Sequence, residues 1–187
     1  DRIRLMTQSQ KFMIEPIWKF KEIDERCVKR VAKTFALPDL FAKIMSLRGL
    51  KSKKDSKDFF YPNIKRLHNP FIMKDMDKAV NRILKTISEK KTILIFGDYD
   101  VDGICATAFL TLFFRSQDVD AHYYIPNREN EGYGLSKKAI DYAHYIGADI
   151  MITCDCGVNA YKEVDYANKK NIEIIITDHH KINNDNL

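Results

Sequence analysis

Short apolar runs alternate with helical patterns in the part of the chain that follows Lys91. A continuous apolar run of buried-strand type occupies residues 92–97, and further strands are predicted at residues 121–125, 149–153 and 172–177. Between them, residues 103–115, 136–146 and 161–170 have apolar positions at helical spacing. This βαβαβαβ order predicts an α/β fold with a parallel, Rossmann-like sheet that carries helices on both faces.

The preceding residues show helical periodicity and no strand pattern. Apolar residues recur at helical spacing in residues 24–37, 40–47 and 75–89, and Pro38 separates the first two of these segments. Residues 51–57 (KSKKDSK) are polar and are predicted to form a loop. We therefore predict a mainly helical amino-terminal region at residues 1–90 and an α/β domain at residues 91–187.

The composition is that of a globular protein, with 45% hydrophobic and 30% charged residues. No run of about 18 uncharged apolar residues occurs, and the charged first 20 residues contain no apolar block that could serve as a signal peptide. The four cysteines lack the spacing of a disulfide framework. We expect a cytoplasmic protein with no membrane partner, in which Cys154 and Cys156 are buried thiols.

Charge is distributed unevenly along the chain. Residues 1–91 contain 23 Lys and Arg against 11 Asp and Glu, whereas residues 92–187 contain 8 against 15. A basic region beside an acidic one is typical of a polyanion-binding surface next to a metal site built from carboxylates. Lysines that merely solvate helix surfaces would give the same counts, so charge alone does not separate the two interpretations.

Acidic residues and histidines directly follow three of the four predicted strands. They are Asp98, Asp100 and Asp102 (GDYDVDG) after the first strand, Asp155 (TCDCG) after the third, and Asp178, His179 and His180 (TDHHK) after the fourth. The carboxyl ends of parallel strands meet at one edge of a sheet, where such folds bind their ligands. We therefore expect these side chains to lie close together.

So many carboxylates at one edge repel one another unless cations neutralise them. Alternating Asp-x-Asp residues can reach two neighbouring ions, Asp155 could bridge those ions, and a histidine ligand favours manganese or another transition metal. Two ions about 3.5–4 Å apart would activate water and hold the attacking and leaving oxygens of a phosphate in line. The pattern predicts a two-metal phosphodiesterase.

Each residue taken alone has an ordinary structural explanation. An aspartate after a strand often caps a helix or forms an Asx turn, and single histidines at such positions are typical of surface or capping groups. GDYDVDG also resembles the start of an EF-hand loop, but the twelfth position counted from Asp98 is Phe109 instead of an acidic residue. The joint placement of the residues at one edge is what favours a metal site.

GDYDVDG, TCDCG and TDHH together resemble three motifs of the DHH phosphoesterases. Two further segments, IPNRENEGYGLS (residues 125–136) and LHNPFIMKDMDKAV (residues 67–80), resemble elements of the RecJ single-strand exonucleases within that family. The resemblance covers about residues 18–180. It implies a hydrolase that degrades single-stranded DNA from its 5′ end in recombination and repair, with two Mn²⁺ or Mg²⁺ ions.

The resemblance also implies roles for individual residues. The implied metal ligands are Asp98, Asp100, Asp102, Asp155 and His179. The implied catalytic groups are His179, His180 and Asp102, with Asp178 positioning the histidines. The implied substrate contacts lie on the loop after the second strand and are Asn127, Arg128, Gly132, Tyr133 and Gly134, with Arg128 on a DNA phosphate. A polar turn with an Arg128–Glu129 ion pair is the structural alternative for this loop.

Some features depart from the family pattern. Cys156 stands where the family usually has an asparagine, and Phe96 stands where the manganese pyrophosphatase branch has a histidine, so Asp98 would take over that ligand position. The family has a further metal-binding aspartate and a second domain after the last motif. Because the chain begins at Asp1 and ends at Leu187, we expect a fragment that binds metal weakly and has little nuclease activity alone.

Three functions are compatible with these observations. The favoured one is a monomeric 5′-to-3′ exonuclease for single-stranded DNA, with a single-strand binding protein or a helicase as cellular partner. The alternative is a DHH phosphodiesterase for short oligonucleotides or cyclic dinucleotides. A non-catalytic DNA-binding scaffold is the third, and the retained set of metal-ligating residues argues against it.

Overall fold

The computed structural model of the chain describes Lys19 and residues 21–183. Residues 1–18 and 20, which begin the predicted helical region, lie outside the described residues, as does the carboxyl terminus at residues 184–187. The chain divides into two compact units, Asp1–His68 and Asn69–Leu187. Each unit has its own hydrophobic core.

In the amino-terminal unit, the described residues form helices α1 (Glu25–Phe35), α2 (Asp39–Leu47) and α3 (Lys53–Phe60), followed by a 3₁₀ turn at Ile64–Arg66. Helix α1 begins where the Asp24 carboxylate accepts the backbone N–H groups of Arg26 and Cys27. The core of the unit consists of Cys27, Val28, Val31, Ala42 and Met45. The helical pattern predicted for residues 24–37 and 40–47 is confirmed.

The loop predicted at residues 51–57 was wrong, because α3 begins at Lys53. The polar sequence gives this helix a weak local signal, and its stabilisation comes from packing at its end. The ring of Phe60 lies 5.0 Å from that of Phe35, centroid to centroid, and Ser56 is fully buried. Contacts between residues distant in sequence therefore override the local polar pattern.

The second unit contains a parallel four-stranded sheet with the order β2-β1-β3-β4. Its strands are β1 (Thr92–Gly97), β2 (Ala121–Tyr124), β3 (Ala148–Cys154) and β4 (Glu173–Thr177). Its helices are α4 (Met76–Ser88), α5 (Val101–Ser116), α6 (Lys137–Tyr145) and α7 (Tyr161–Lys169), with a 3₁₀ turn at Pro70–Ile72 before α4. The predicted parallel α/β fold is confirmed.

Both faces of the sheet are covered, because residues of β1 and β3 alternate between two hydrophobic clusters. Leu94, Phe96 and Met151 pack with residues of α6 and α7 on one face. Ile93, Ile95, Ile150 and Ile152 pack with α4 and α5 on the other face. Because all the strands pair in parallel, their carboxyl ends lie at the same edge of the sheet.

Helix α4 belongs to the same compact unit as the sheet, although we placed it in the amino-terminal region. Its Ile83 and Ile87 pack against the face formed by β1 and β3. The apolar stripe on α4 is therefore explained by contact with the sheet.

All four cysteines are free, and Cys154 and Cys156 are buried as expected, together with Cys27. Among the described residues, no helix combines the length and the apolar character needed to cross a membrane.

Candidate metal centre

The first wall of the candidate site is the turn between β1 and α5. Asp100 caps α5, since its Oδ1 accepts the backbone N–H of Gly103 at 3.0 Å. A Cβ atom added to Gly103 would overlap the backbone of Asp98, so only glycine allows the helix to start this close to the strand. The close approach brings the α5 amino terminus next to the carboxylates.

Asp98 is the most deeply buried acidic residue of the site, with 2% of its surface exposed. Its Oδ1 has no hydrogen-bond partner. Burial raises the pKa of the Asp98 carboxyl, and the carboxylates of Asp100 and Asp155 raise it further. A buried, unpartnered carboxylate oxygen is costly in a protein unless a cation binds it.

Asp155 forms the second wall, on the turn after β3. Its backbone is left-handed (φ 63°), an uncommon conformation for a residue other than glycine, and its N–H donates to the Thr177 carbonyl at 2.9 Å. Its Oδ1 lies 2.8 Å from Nε2 of His179, but the two atoms are not aligned as a hydrogen bond. The Asp155 oxygen and the His179 nitrogen therefore lie close together without forming a hydrogen bond.

Asp178 uses both of its oxygens to organise the third wall after β4. Oδ2 accepts the backbone N–H of Val158 at 2.9 Å, whereas Oδ1 accepts that of His180 at 3.0 Å and lies 2.7 Å from the His180 Nδ1. Burial opposes ionisation of Asp178, yet these hydrogen bonds lower its pKa below the ordinary value. The contact with Asp178 in turn raises the pKa of His180.

The structure brings five of the predicted side chains into two overlapping groups. Asp98, Asp100 and Asp155 form one group, and Asp155, His179 and His180 form the other, with ligand-type atoms within 4.8 Å of one another in each. The shared Asp155 lies where a carboxylate bridging two ions would be needed. Oxygen and imidazole donors together with unpartnered buried carboxylate oxygens fit divalent cations.

Asp102 is not part of either group, although we predicted it as a ligand and a catalytic residue. It lies in the first turn of α5 and is exposed, because the helix begins at Val101 and ends the extended alternation of GDYDVDG. Its predicted role therefore stays a prediction.

The predicted substrate loop reaches the candidate site through aromatic contacts. The Tyr133 hydroxyl lies 3.3 Å from Nδ1 of His180, and the Tyr133 ring packs edge-on against Tyr99. The Arg128 guanidinium lies over the Tyr99 ring, 5.3 Å from its centroid. Burial raises the pKa of Tyr133 to about 12, assisted by the carboxylates of Asp98 and Asp178, so its hydroxyl stays protonated near neutral pH.

The remaining predicted loop residues have structural contacts of their own. The Asn127 side chain accepts the backbone N–H groups of Glu129 and Asn130, and Gly132 and Gly134 adopt left-handed backbones (φ 77° and 84°). Within the described part of the chain, no ion pair joins Arg128 to Glu129, but the hydrogen bonds of Asn127 do form a polar turn, so the substrate contacts of this loop stay a prediction.

Sequence reasoning missed Tyr99 and Glu131. Tyr99 lies between two of the predicted aspartates and connects Arg128 to Tyr133. Glu131 anchors the substrate loop by accepting hydrogen bonds from the Tyr124 hydroxyl and Lys138. Both residues lie inside motifs that carry the family resemblance, and only their three-dimensional contacts reveal these roles.

A cleft of about 480 Å³ adjoins the candidate metal groups. Its walls come from the loops after β2, β3 and β4 and from the start of α7. They include Tyr133, Leu135, Val158, Asn159, Glu163 and Lys181, and His180 belongs both to the cleft wall and to one of the candidate metal groups.

The family model described as "DHH family, N-terminal domain" matches residues 92–187. Curated relatives include the single-stranded-DNA-specific exonuclease RecJ of Bacillus subtilis, 31% identical over 164 residues, and that of Escherichia coli, 33% identical over 147 residues. The matches cover 88% and 77% of this chain but 21% and 24% of the relatives. The chain therefore spans about a quarter of their length or less.

The similar solved structures are also RecJ exonucleases. A crystal structure of exonuclease RecJ bound to manganese is 32% identical, with a TM-score of 0.55 over 59% of this chain and 29% of that one. RecJ from Thermus thermophilus in complex with Mn²⁺ is 22% identical, with a TM-score of 0.61 over 86% of this chain and 22% of that one. The second likeness supports the fold alone.

Proposed function

This chain belongs to the DHH family, and from that premise we propose that its protein is a metal-dependent exonuclease that hydrolyses single-stranded DNA from the 5′ end. The relatives named as single-stranded-DNA-specific exonucleases support the substrate class. The 5′-to-3′ direction rests on the sequence motifs that resemble the RecJ enzymes.

The observation that carries the proposal is the convergence of five ligand-type side chains from three loops around Asp155. Asp98 and Asp155 each have a buried oxygen without a hydrogen-bond partner. Simple helix caps and Asx turns would satisfy these oxygens, so the ordinary structural explanation does not account for them. The manganese in the related solved structures supports a metal as their partner.

We propose that Asp98, Asp100, Asp155 and His179 hold two ions, Mn²⁺ or Mg²⁺. When bound, such ions would activate a water molecule and neutralise charge on the phosphate. Asp178 would fix the orientation of His180 through its two contacts with that residue. His180 would face the scissile phosphate, with the Tyr133 hydroxyl in contact with its ring nitrogens.

The loop after β2 would hold the DNA backbone next to this centre. Arg128 is held over Tyr99 by a cation–π contact and pairs with no carboxylate among the described residues, so its guanidinium is available for a phosphate. Gly132 and Gly134 leave open space where side chains would otherwise project. We further propose that the unit Asn69–Leu187 forms the catalytic domain and that the basic residues of the unit Asp1–His68 add to DNA binding.

The direct test is digestion of oligonucleotides labelled at either end, with Mn²⁺ and with EDTA. We expect single-stranded DNA labelled at its 5′ end to release a labelled mononucleotide at once, and no cleavage in EDTA. Immediate release from the 3′ label, or unchanged cleavage in EDTA, would contradict the proposal. A dinucleotide cleaved faster than a long oligonucleotide would favour the small-substrate phosphodiesterase.

The cellular setting follows from the same proposal. We propose a cytoplasmic monomer that meets single-stranded DNA together with a single-strand binding protein or a helicase. The four free cysteines support a reducing compartment. Co-purification from cell extract with and without nuclease treatment would separate direct protein partners from proteins bridged by DNA.

A further inference from the structure

We propose that the cleft beside His180 holds one unpaired nucleobase, that of the nucleotide adjoining the scissile phosphate. This inference rests on the proposed function and adds to it a binding subsite for the base. The cleft was defined above by the loops after β2, β3 and β4. It shares His180, Asp178 and Tyr133 with the metal centre, but its space between Val158, Asn159 and Glu163 has no role assigned above.

The position of the cleft fixes which part of the substrate can enter it. His180 belongs both to the cleft wall and to the group formed with Asp155 and His179. A phosphate at the metal groups would therefore place its own nucleoside, not a distant one, at the cleft entrance. The volume of about 480 Å³ lies in the range that accommodates small organic ligands.

The charges around the cleft favour a neutral occupant over a second phosphate. Glu163 and Asp178 place carboxylates in the wall, whereas Lys181 and His180 are the basic groups. The His180 ring is already engaged by Asp178 at 2.7 Å. A phosphate would meet at least as much negative as positive charge, but an uncharged base would not be repelled.

The walls offer both a flat aromatic surface and a fixed shape. The Tyr133 ring is 58% exposed, which leaves area for stacking. Elsewhere in the wall, the Asn159 side chain donates to the Lys181 carbonyl at 2.9 Å and accepts the Asn183 backbone N–H at 2.8 Å. These bonds tie the loop after β3 to the segment after β4, so the cleft is preformed.

A base bound in such a cleft cannot be paired with a complementary strand. Entry would require the base to leave the helical stack and its partner, and the free-energy cost of this is smallest in single-stranded DNA, where no base pair is broken. The cleft would therefore contribute to the preference for single strands at the level of one nucleotide.

The first experiment measures nucleoside binding without metal, using saturation-transfer NMR on the protein in its natural length. We expect thymidine to bind and deoxyribose 5-phosphate to bind at least about tenfold more weakly, the ratio expected for loss of one stacked base. Stronger binding of deoxyribose 5-phosphate or inorganic phosphate than of thymidine would make the cleft a phosphate site and overturn the proposal.

Variants at Val158 test the location. Val158→Phe fills the cleft and should weaken thymidine binding about tenfold, whereas Leu112→Phe, a control at an exposed position outside the cleft, should keep it within about twofold. Circular dichroism and Mn²⁺ titration verify that each variant is folded. If Val158→Phe is unfolded, Glu163→Trp serves as the filling variant, since Glu163 lines the same cleft. Unchanged thymidine affinity in a folded filling variant would overturn the proposal.

The second experiment moves a single abasic residue along a single-stranded oligonucleotide. Cleavage with Mn²⁺ should slow about tenfold only when the abasic residue adjoins the scissile bond, and Val158→Phe should reduce this selective slowing. Normal cleavage with no position-dependent effect would overturn the cleft assignment alone. Absence of cleavage of every oligonucleotide, with thymidine binding retained, would instead contradict the proposed exonuclease function.

Discussion

The two ends of the parallel sheet both carry aspartates, but their surroundings are opposite. At the amino end, Asp149 accepts hydrogen bonds from Arg82 at 2.9 Å, Thr86 at 3.1 Å and Lys91 at 3.2 Å. At the carboxyl end, no lysine or arginine among the described residues pairs with Asp98 or Asp155. Lysine and arginine side chains thus neutralise the aspartate at the amino end of the sheet, whereas none of the described ones pairs with Asp98 or Asp155 at the carboxyl end.

The pKa directions follow this difference. Burial opposes ionisation of Asp149, but the hydrogen bonds from Arg82 and Lys91 lower its pKa below the ordinary value. Burial and neighbouring carboxylates raise the pKa of Asp98. The comparison teaches that a partly buried aspartate with internal partners contributes to the fold, whereas a buried aspartate without them indicates an external partner.

The largest expected effect is that of Asp155→Asn, because both metal groups share this residue. We expect Mn²⁺ affinity and DNA cleavage each to fall by more than about 100-fold, since even residues that only orient metal ligands contribute 10–100-fold. Calorimetric titration and end-label digestion measure the two effects. Asp120→Asn, which alters an exposed aspartate at the opposite end, is the control, and equal Mn²⁺ binding by Asp155→Asn would refute the comparison.

Gly103→Ala tests the packing that creates the charged end. The added methyl group would overlap the Asp98 backbone, so we expect destabilisation of about 1–3 kcal/mol together with weaker Mn²⁺ binding. Urea denaturation measures the first effect and titration the second. Cys105→Ala, an exposed change in the same helix, should stay within about 0.5 kcal/mol. If Gly103→Ala were as stable as the wild type, the turn between β1 and α5 would have relaxed to accommodate the methyl group.

Asp149→Asn should affect stability and leave Mn²⁺ binding unchanged. We expect a loss of about 1–2 kcal/mol at pH 7, since hydrogen bonds between charged groups at a partly exposed site are lost. Because folding lowers the pKa of Asp149, its contribution is present above the unfolded-state pKa and is lost as pH falls through the folded-state pKa. Denaturation curves of the variant and the wild type should therefore converge under acidic conditions. A constant difference down to strong acid would contradict this assignment.

The smallest expected effect is a gain in stability, whereas Gly103→Ala and Asp149→Asn are expected to lose stability. Without metal, Asp98→Asn should stabilise the protein by about 1 kcal/mol, because it removes a charge from a buried cluster of carboxylates. With saturating Mn²⁺, the wild type should gain stability and the variant should gain less. Thermal unfolding with and without Mn²⁺ makes the comparison, and a metal-free variant less stable than the wild type would show that the Asp98 charge is compensated internally.

The sheet could be predicted from sequence because most of its strands read as short apolar runs, which are buried in the central strands β1 and β3 and partly exposed in the edge strand β4. Residues 92–97 and 172–177 illustrate this, and both became strands of the sheet. Helix α3 could not be predicted, since its polar residues give no periodic signal and Phe60 packs against a residue far away in the sequence. Local patterns do not encode such contacts.

Prediction from sequence has the same limit in the candidate site. Topology alone was sufficient to place Asp98, Asp155 and His179 at one edge, because the carboxyl ends of all strands meet there. Asp102 was grouped with them from alternation along GDYDVDG, but α5 begins within that motif and takes Asp102 out of both groups. Tyr99 could not be assigned, since its contacts depend on how a distant loop folds back.

The parallel crossovers that place β1 between β2 and β3 also determine when the metal centre can form during folding. Asp98 and His180 are 82 positions apart, so the two walls that carry them meet only after β1, β3 and β4 have paired. Such distant pairings close late, because each requires a long loop to be ordered first. Divalent ions would therefore slow unfolding of the completed sheet and leave the rate of its formation nearly unchanged.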